Sequence, residues 1–449
     1  MKKQLFLLIS IIISIVLTVP AFAAVIPEDV QRQAESLELD AESAILIDAL
    51  TGDILYQKEI DKKQFPASIT KLMTILLALE NCPDLDETIE FSHDAVFSIE
   101  PGSSHIAIDA GEKITVRQAL YAIILQSANE VSNGVAEHID GSMEEFAKHM
   151  TSRAKELGCK NTNFVNANGL HDENHYTTAY DMSLIAKELL KFDFFRELIG
   201  TTYYEIPPTN KQPETRYLYG QNQLIKPSSA FYYDYCEGGK TGFTNEAGNT
   251  LVAYAKQGNT ELISVVLKST GYGEYTDTAK LFDYGFNNFE TVNLASAGDS
   301  AGSVNVNEER KKETVTLGIV NAVFEENISA TVTKSLTGSI ETLYSIPEDI
   351  NAPVSNGQFL GTAIYRIGSD DIAKVNLISD SSIMLTENSI QNAGQNTVNF
   401  KTASILLAAA VILIIAVKII LNKIAHERRK RKRRERIKRY RQTYGNIDK

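Results

Sequence analysis

Cysteine is scarce in this chain. Three residues, Cys82, Cys159 and Cys236, are too few among 449 for a disulfide framework, and the odd count leaves at least one thiol free. Basic residues are scarce in the body of the sequence. Residues 24–402 carry 28 Lys and Arg against 54 Asp and Glu, a stronger imbalance than the whole-chain charge of -13 suggests. Such an acidic body repels phosphate, which argues against nucleic-acid binding. No internal repeat is visible. With 43% hydrophobic and 22% charged residues the composition excludes collagen-like, low-complexity and wholly disordered chains. The length predicts two or three domains.

The long hydrophobic runs sit at the two ends. Lys2 and Lys3 precede an apolar run from Leu5 to Val19, followed by Pro20 and Ala21-Phe22-Ala23-Ala24. A charged start, a short apolar centre and an A-x-A exit predict a secretory signal peptide over 1–23. Ala403 to Leu421 is apolar except for Ser404 and Lys418, and at about 1.5 Å per residue such a helix reaches across a bilayer core. The cluster from Arg428 to Arg434 follows, and positive charge of this kind marks the cytoplasmic side. The expectation is an extracytoplasmic body held by a single C-terminal transmembrane helix.

Between the ends the body reads as α+β. Ala44–Asp48 and Asp53–Tyr56 are short β-type runs around Thr51-Gly52, a hairpin pattern. Pro66 opens a buried helix through Leu72, Met73, Ile75, Leu76 and Leu79, and Val116 to Ile139 repeats apolar residues at helical spacing with a polar break at Gln126–Asn129. Strand-like runs follow at Thr250–Ala255 and Glu261–Leu267. From about Val292 the pattern changes. Asp299 to Thr314 reads as a polar loop, and alternating runs at Val315–Ile319, Ile328–Val332, Ile340–Tyr344, Phe359–Tyr365 and Ile372–Leu377 predict a small antiparallel β domain. Ser381 to Thr402 reads as a polar spacer.

Three short motifs carry chemistry. Ser68-Ile69-Thr70-Lys71 places a hydroxyl and an amine one helical turn apart, so that a neutral lysine can take the serine's proton. Ser127-Ala128-Asn129 interrupts an apolar helix, where a hydroxyl and an amide need partners; taken alone, a simple helix cap explains it better. Lys240-Thr241-Gly242 follows Gly238-Gly239. It offers a positive charge, a donor and a backbone that a ligand can approach closely, while a plain turn before a strand is the alternative. His171 and His175, four apart, have the spacing of two metal ligands on a helix, but no third ligand cluster accompanies them. Cys236 reads as a small apolar strand residue.

The ordered set S-x-x-K, S-x-N and K-T-G resembles serine β-lactamases and penicillin-binding proteins. Further stretches, among them Pro66–Glu80, Pro101–Val116, Asn166–Asp181, Glu237–Ala255 and Phe289–Val292, are similar to the D-alanyl-D-alanine carboxypeptidases, the low-molecular-mass penicillin-binding proteins of the S11 peptidase family. The resemblance covers most of residues 40–385. It implies an α+β catalytic domain of the serine β-lactamase and penicillin-binding-protein type over 24–290 and an all-β domain over 291–385. A spacer over 386–402, a transmembrane helix over 403–421 and a basic cytoplasmic tail over 422–449 complete the expected order.

The same resemblance implies roles residue by residue. Ser68 is the nucleophile, Lys71 its general base, and Ser127 the proton relay to the leaving amine. Asn129 holds the substrate amide, Lys240 supplies positive potential, Thr241 binds the terminal carboxylate, and Gly242 belongs to the substrate-binding set. The backbone N–H groups of Ser68 and Phe243 form the oxyanion hole. The implied substrates are peptidoglycan stem peptides ending in D-Ala-D-Ala, with β-lactams as covalent inhibitors, no cofactor or metal, and a single-pass place in the bacterial cell membrane. The chain departs from the pattern at Glu130, where relatives carry aspartate. It departs also at Glu261, where they carry an arginine that pairs with the substrate carboxylate; an inward glutamate would repel that group. A wall-binding scaffold of the same fold, inactive through Glu261, and a β-lactamase-like hydrolase are the competing readings.

Overall fold

Strand alternation organises the first half of the molecule. A computed structural model describes residues 25–310 and 313–385. Five antiparallel strands form one sheet in the order Ile54–Lys58, Ser43–Asp48, Thr260–Ser269, Gly248–Gln257 and Cys236–Thr244. Successive side chains point to opposite faces of a strand. Ile45, Ile47, Val252, Tyr254, Ile263, Val265 and Leu267 therefore enter one hydrophobic cluster, and Ala44, Leu46, Leu251, Ala253, Leu262 and Val266 enter another. The first cluster is closed by the helices Lys71–Asn81, Val116–Gln126, Asn129–Asp140, Met143–Glu156 and Ala179–Leu189; the second by Glu28–Glu35 and Gly273–Asn288. Burial on both faces explains why these strands read as nearly continuous apolar runs.

The helix Lys71–Asn81 is apolar on every side, and Lys71 through Ala78 are buried without interruption. A helix of that character belongs inside a core. The stretch expected as one helix from Val116 to Ile139 is two. Thr115 and Gln118 form a capping box at the start, and the first helix ends at Ser127, whose φ of 54° is left-handed. The second begins at Asn129 and stops at Gly141.

The described residues fall into two compact units. One holds those up to Gly302 together with Asn321–Pro347 and Phe359–Asp380; the other holds Ser303–Val320, Glu348–Gln358 and those from Ser381 onward. From Phe289 every described regular element is a strand except the 3-10 turn Lys334–Ser339. In the first unit Phe289–Ala295 pairs with Ile328–Thr333, and Phe359–Ile367 pairs on its two sides with Ile340–Ser345 and Asp370–Ser379, all antiparallel. In the second unit Asn305 to Asn307 pair in parallel with Asp349 to Asn351.

The polar stretch expected as a loop over Asp299–Thr314 is instead largely the strand Ser300–Arg310. Its inward positions are Val304, Val306 and Glu308, and a buried acid in the third place hides the alternation that defines a half-buried strand. Among the described residues no helix is long and apolar enough to cross a membrane. The expected signal peptide, transmembrane helix and basic tail lie outside the described residues.

Candidate active site

The serine of the first motif sits on a tight turn. Ala67–Thr70 is 3-10 helical, and the α-helix expected from Pro66 begins only at Lys71. Ala67 has a φ of 50°, a left-handed conformation that a residue with a side chain adopts only under strain. Two glycines make room for this turn. A Cβ on Gly169 would lie 1.9 Å from the Ala67 carbonyl oxygen, and one on Gly242 would lie 2.8 Å from the Ser68 nitrogen. Thr250 Oγ1, on the neighbouring strand, donates to the Pro66 carbonyl at 3.0 Å.

Lys71 Nζ lies 2.9 Å from Ser68 Oγ and 2.8 Å from Asn129 Oδ1, and it also donates to the Asn168 carbonyl. Lys71 is completely buried. Burial holds its pKa well below the ordinary lysine value, and the Lys240 charge lowers it further against the opposing pull of Glu130. A neutral amine has two N–H groups and one lone pair. The two carbonyl oxygens occupy both donors, which leaves the lone pair for the Ser68 hydroxyl.

Lys240 is also buried, with a pKa lowered to about 7 by desolvation. Its Nζ donates to Ser127 Oγ at 3.1 Å and to the Thr241 carbonyl at 2.8 Å. The strand Cys236–Thr244 is the outermost of its sheet, so one of its edges has no strand neighbour. Thr241 and Gly242 are half-buried on it, and the Phe243 side chain is exposed. Hydrogen bonds thus join Ser68, Lys71 and Asn129, and Ser127 and Lys240, while Gly242 lies against the Ser68 nitrogen.

Supporting residues were not legible as such in the sequence. The Asn168 side chain donates to Asn133 Oδ1 at 2.9 Å while its carbonyl meets Lys71. Its one signal is the following Gly169, whose φ of 84° and tight contact demand glycine. His175 Nδ1 accepts from the Val165 N–H at 3.2 Å, so its Nε2 carries the proton that Thr70 Oγ1 accepts at 2.8 Å. Burial lowers this imidazole to about 3.

The geometry also locates the histidine pair and Glu261. His171 and His175 share no helix: they lie in the turn before Ala179–Leu189, and the His171 ring packs on Phe65 at 4.6 Å while His175 faces Thr70. Glu261 does not face the site. Thr241 pairs with Leu251 and Leu251 with Val266, whereas Glu261 stands five residues earlier opposite Lys256, about 16 Å along the strand. Its carboxylate is held by both terminal nitrogens of Arg196. Glu130 in place of aspartate still reaches the loop above it, accepting from the Ile106 N–H at 2.7 Å.

A helix-flanked antiparallel sheet with a strained serine turn, a buried lysine beside the hydroxyl and a second lysine on the edge strand defines a serine hydrolase of the penicillin-binding class. Residues 29–271 match the family model for D-alanyl-D-alanine carboxypeptidase, and residues 289–384 match that for the penicillin-binding protein 5 C-terminal domain. The chain belongs to the D-alanyl-D-alanine carboxypeptidase family, peptidase family S11. It is 36% identical to the D-alanyl-D-alanine carboxypeptidase DacF of Bacillus subtilis, over 82% of this chain and 92% of the relative. It is 30% identical to DacC of Escherichia coli, over 80% and 86%. Among solved structures, penicillin-binding protein 5 from Haemophilus influenzae superposes with a TM-score of 0.65 at 27% identity, covering 78% of this chain and 99% of that one.

Proposed function

We propose that the protein is a serine D,D-carboxypeptidase that removes the terminal D-Ala from peptidoglycan stem pentapeptides through a Ser68 acyl-enzyme, and that β-lactams acylate the same serine. The observation that carries this reading is the environment of Lys71, a fully buried amine 2.9 Å from the Ser68 hydroxyl, its pKa lowered by desolvation.

Lys71 takes the hydroxyl proton as Ser68 Oγ attacks the carbonyl of the penultimate D-Ala. The negative oxygen of the tetrahedral intermediate rests on the Ser68 and Phe243 N–H groups. The C–N bond then breaks, and Ser127 passes its proton to the departing D-Ala amine and regains one from the Lys71 ammonium, which returns to the neutral amine. Lys240 lies within hydrogen-bond reach of Ser127 and supplies the positive charge that favours this transfer. Thr241 and Lys240 receive the substrate's terminal carboxylate, and Asn129 orients its amide. Water, losing a proton to Lys71, resolves the ester. The open edge of Cys236–Thr244 suits an extended peptide that adds as a further strand.

The apolar segment 403–421 and the basic run behind it support a place on the outer face of the bacterial membrane, with the signal peptide over 1–23 removed. A catalytic domain over 24–290 and a β domain over 291–385 complete the reading.

The test is release of D-Ala from a peptide ending in D-Ala-D-Ala by the detergent-solubilised full chain, with Ser68→Ala as the blank. Release confined to the wild type supports the reading. A folded wild type that releases no more than the blank overturns it in favour of a scaffold.

A further inference from the structure

Two helices that carry site residues at their N-terminal ends meet a second cluster at their C-terminal ends. Lys71–Asn81 starts with the general base and is capped at its far end by Cys82; Asn129–Asp140 starts with the amide-binding Asn129 and carries His138 in its last turn. Glu87, just ahead of the strand Thr88–Glu90, reaches the same point. One donor atom from each of Cys82, Glu87 and His138 lies within 4.8 Å of the others. Glu87 Oε1 and His138 Nε2 are 3.3 Å apart.

We propose that Cys82, Glu87 and His138 form a structural site for a divalent zinc-like cation, which braces the two helices at the ends opposite the nucleophile.

The donor set is a thiol, an imidazole and a carboxylate, the three ligand types that zinc accepts in tetrahedral sites. Bond lengths of about 2.0 Å to nitrogen and oxygen and about 2.3 Å to sulfur put tetrahedral donors roughly 3.3 to 3.8 Å apart. The Glu87–His138 pair already has that spacing, and Cys82 Sγ, within 4.8 Å of both, needs a shift of at most about 1 Å. Water completes the fourth position. Electrostatics favours a cation here, because both helices direct the negative ends of their dipoles at the cluster. Cys82 is buried, Glu87 half-buried and His138 exposed, so the cation has a path in from solvent. Metal binding releases the thiol proton, so affinity rises with pH.

The test uses the full chain in detergent, stripped with a chelator and titrated with Co²⁺ and then Zn²⁺. The expected results are one cobalt per chain with a thiolate-to-cobalt charge-transfer band, displacement by zinc, and a Tm several degrees higher with zinc at about a hundredfold excess over Kd. Cys82→Ser abolishes the band. His138→Gln, at an exposed position, weakens zinc at least about tenfold even if Cys82→Ser fails to fold. Penicillin labelling of Ser68 in the metal-free protein stays unchanged, which separates this result from the fate of the carboxypeptidase reading. No thiolate band, or a band that survives both substitutions, overturns the site.

Discussion

Lys240 Nζ donates to Ser127 Oγ at 3.1 Å, joining two residues 113 positions apart in the chain. With Lys71 bonded to Ser68 and Asn129, the three motifs form one hydrogen-bonded set around two buried amines. Each amine is displaced from its ordinary pKa by burial, and each displacement has a measurable consequence.

Lys240 loses its charge in the free protein as pH rises through about 7. If the substrate carboxylate binds the ammonium form as proposed, kcat/KM for a D-Ala-D-Ala peptide falls above that pH, approaching tenfold per unit. In Lys240→Arg, whose side chain stays charged, the absolute rate is lower and the alkaline fall is absent. A pH–rate profile from about pH 6 to about pH 9 distinguishes the two.

Lys71→Ala removes the base while Ser68 stays in place. Acylation by a fluorescent penicillin is expected to slow by about 10²–10⁴-fold. Stopped-time labelling followed on a gel measures it. Labelling at the wild-type rate assigns the base to another group.

Gly242→Ala would put a Cβ 2.5 Å from Thr250 Oγ1 and 2.8 Å from the Ser68 nitrogen. The strand must shift away from the nucleophile turn, so acylation drops at least about a hundredfold, because misplacement by about 1 Å has that effect on rate. Far-ultraviolet circular dichroism should remain that of the wild type.

Glu261→Arg sets a second cation against Arg196, far from the site. Tm falls by several degrees, as loss of a charge-assisted pair and introduction of like charges require. KM for the D-Ala-D-Ala peptide changes by less than about twofold. A large fall in KM instead means that residue 261 reaches the substrate carboxylate.

His175 is neutral in the folded protein down to about pH 3, against an ordinary value of 6.5. The unfolded chain binds the proton first, so the stability associated with the neutral imidazole is complete above about pH 6.5. It is lost progressively as pH falls towards 3. Urea unfolding of wild type and His175→Asn between about pH 7 and about pH 4 should show a shallower acid loss in the variant.

The motifs were legible because their chemistry is local. Ser68 and Lys71 are three residues apart on one turn, and Lys240, Thr241 and Gly242 lie consecutively on one strand. The groups that tune them were not, because they arrive from distant segments: the Asn168 carbonyl comes to Lys71 across 97 positions, and His175 comes to Thr70 across 105. The central strands declared themselves through apolar runs such as Ala44–Ile47, whereas Ser300–Arg310 was obscured by Glu308 among its inward residues. Glu261 shows the converse limit. Its position could be read, but the direction of its side chain follows from sheet register and from Arg196, neither of which is visible in one dimension.

The Ser68 turn is bounded by backbone: Gly169 against Ala67 on one side and Gly242 against the Ser68 nitrogen on the other. Antibiotic escape through target alteration therefore has few openings here. A substitution next to the nucleophile that repels a lactam ring displaces the natural acyl group as well, so the cell loses trimming together with drug sensitivity. Selection is left with positions farther out, such as the exposed Phe243 ring, or with making more of the enzyme.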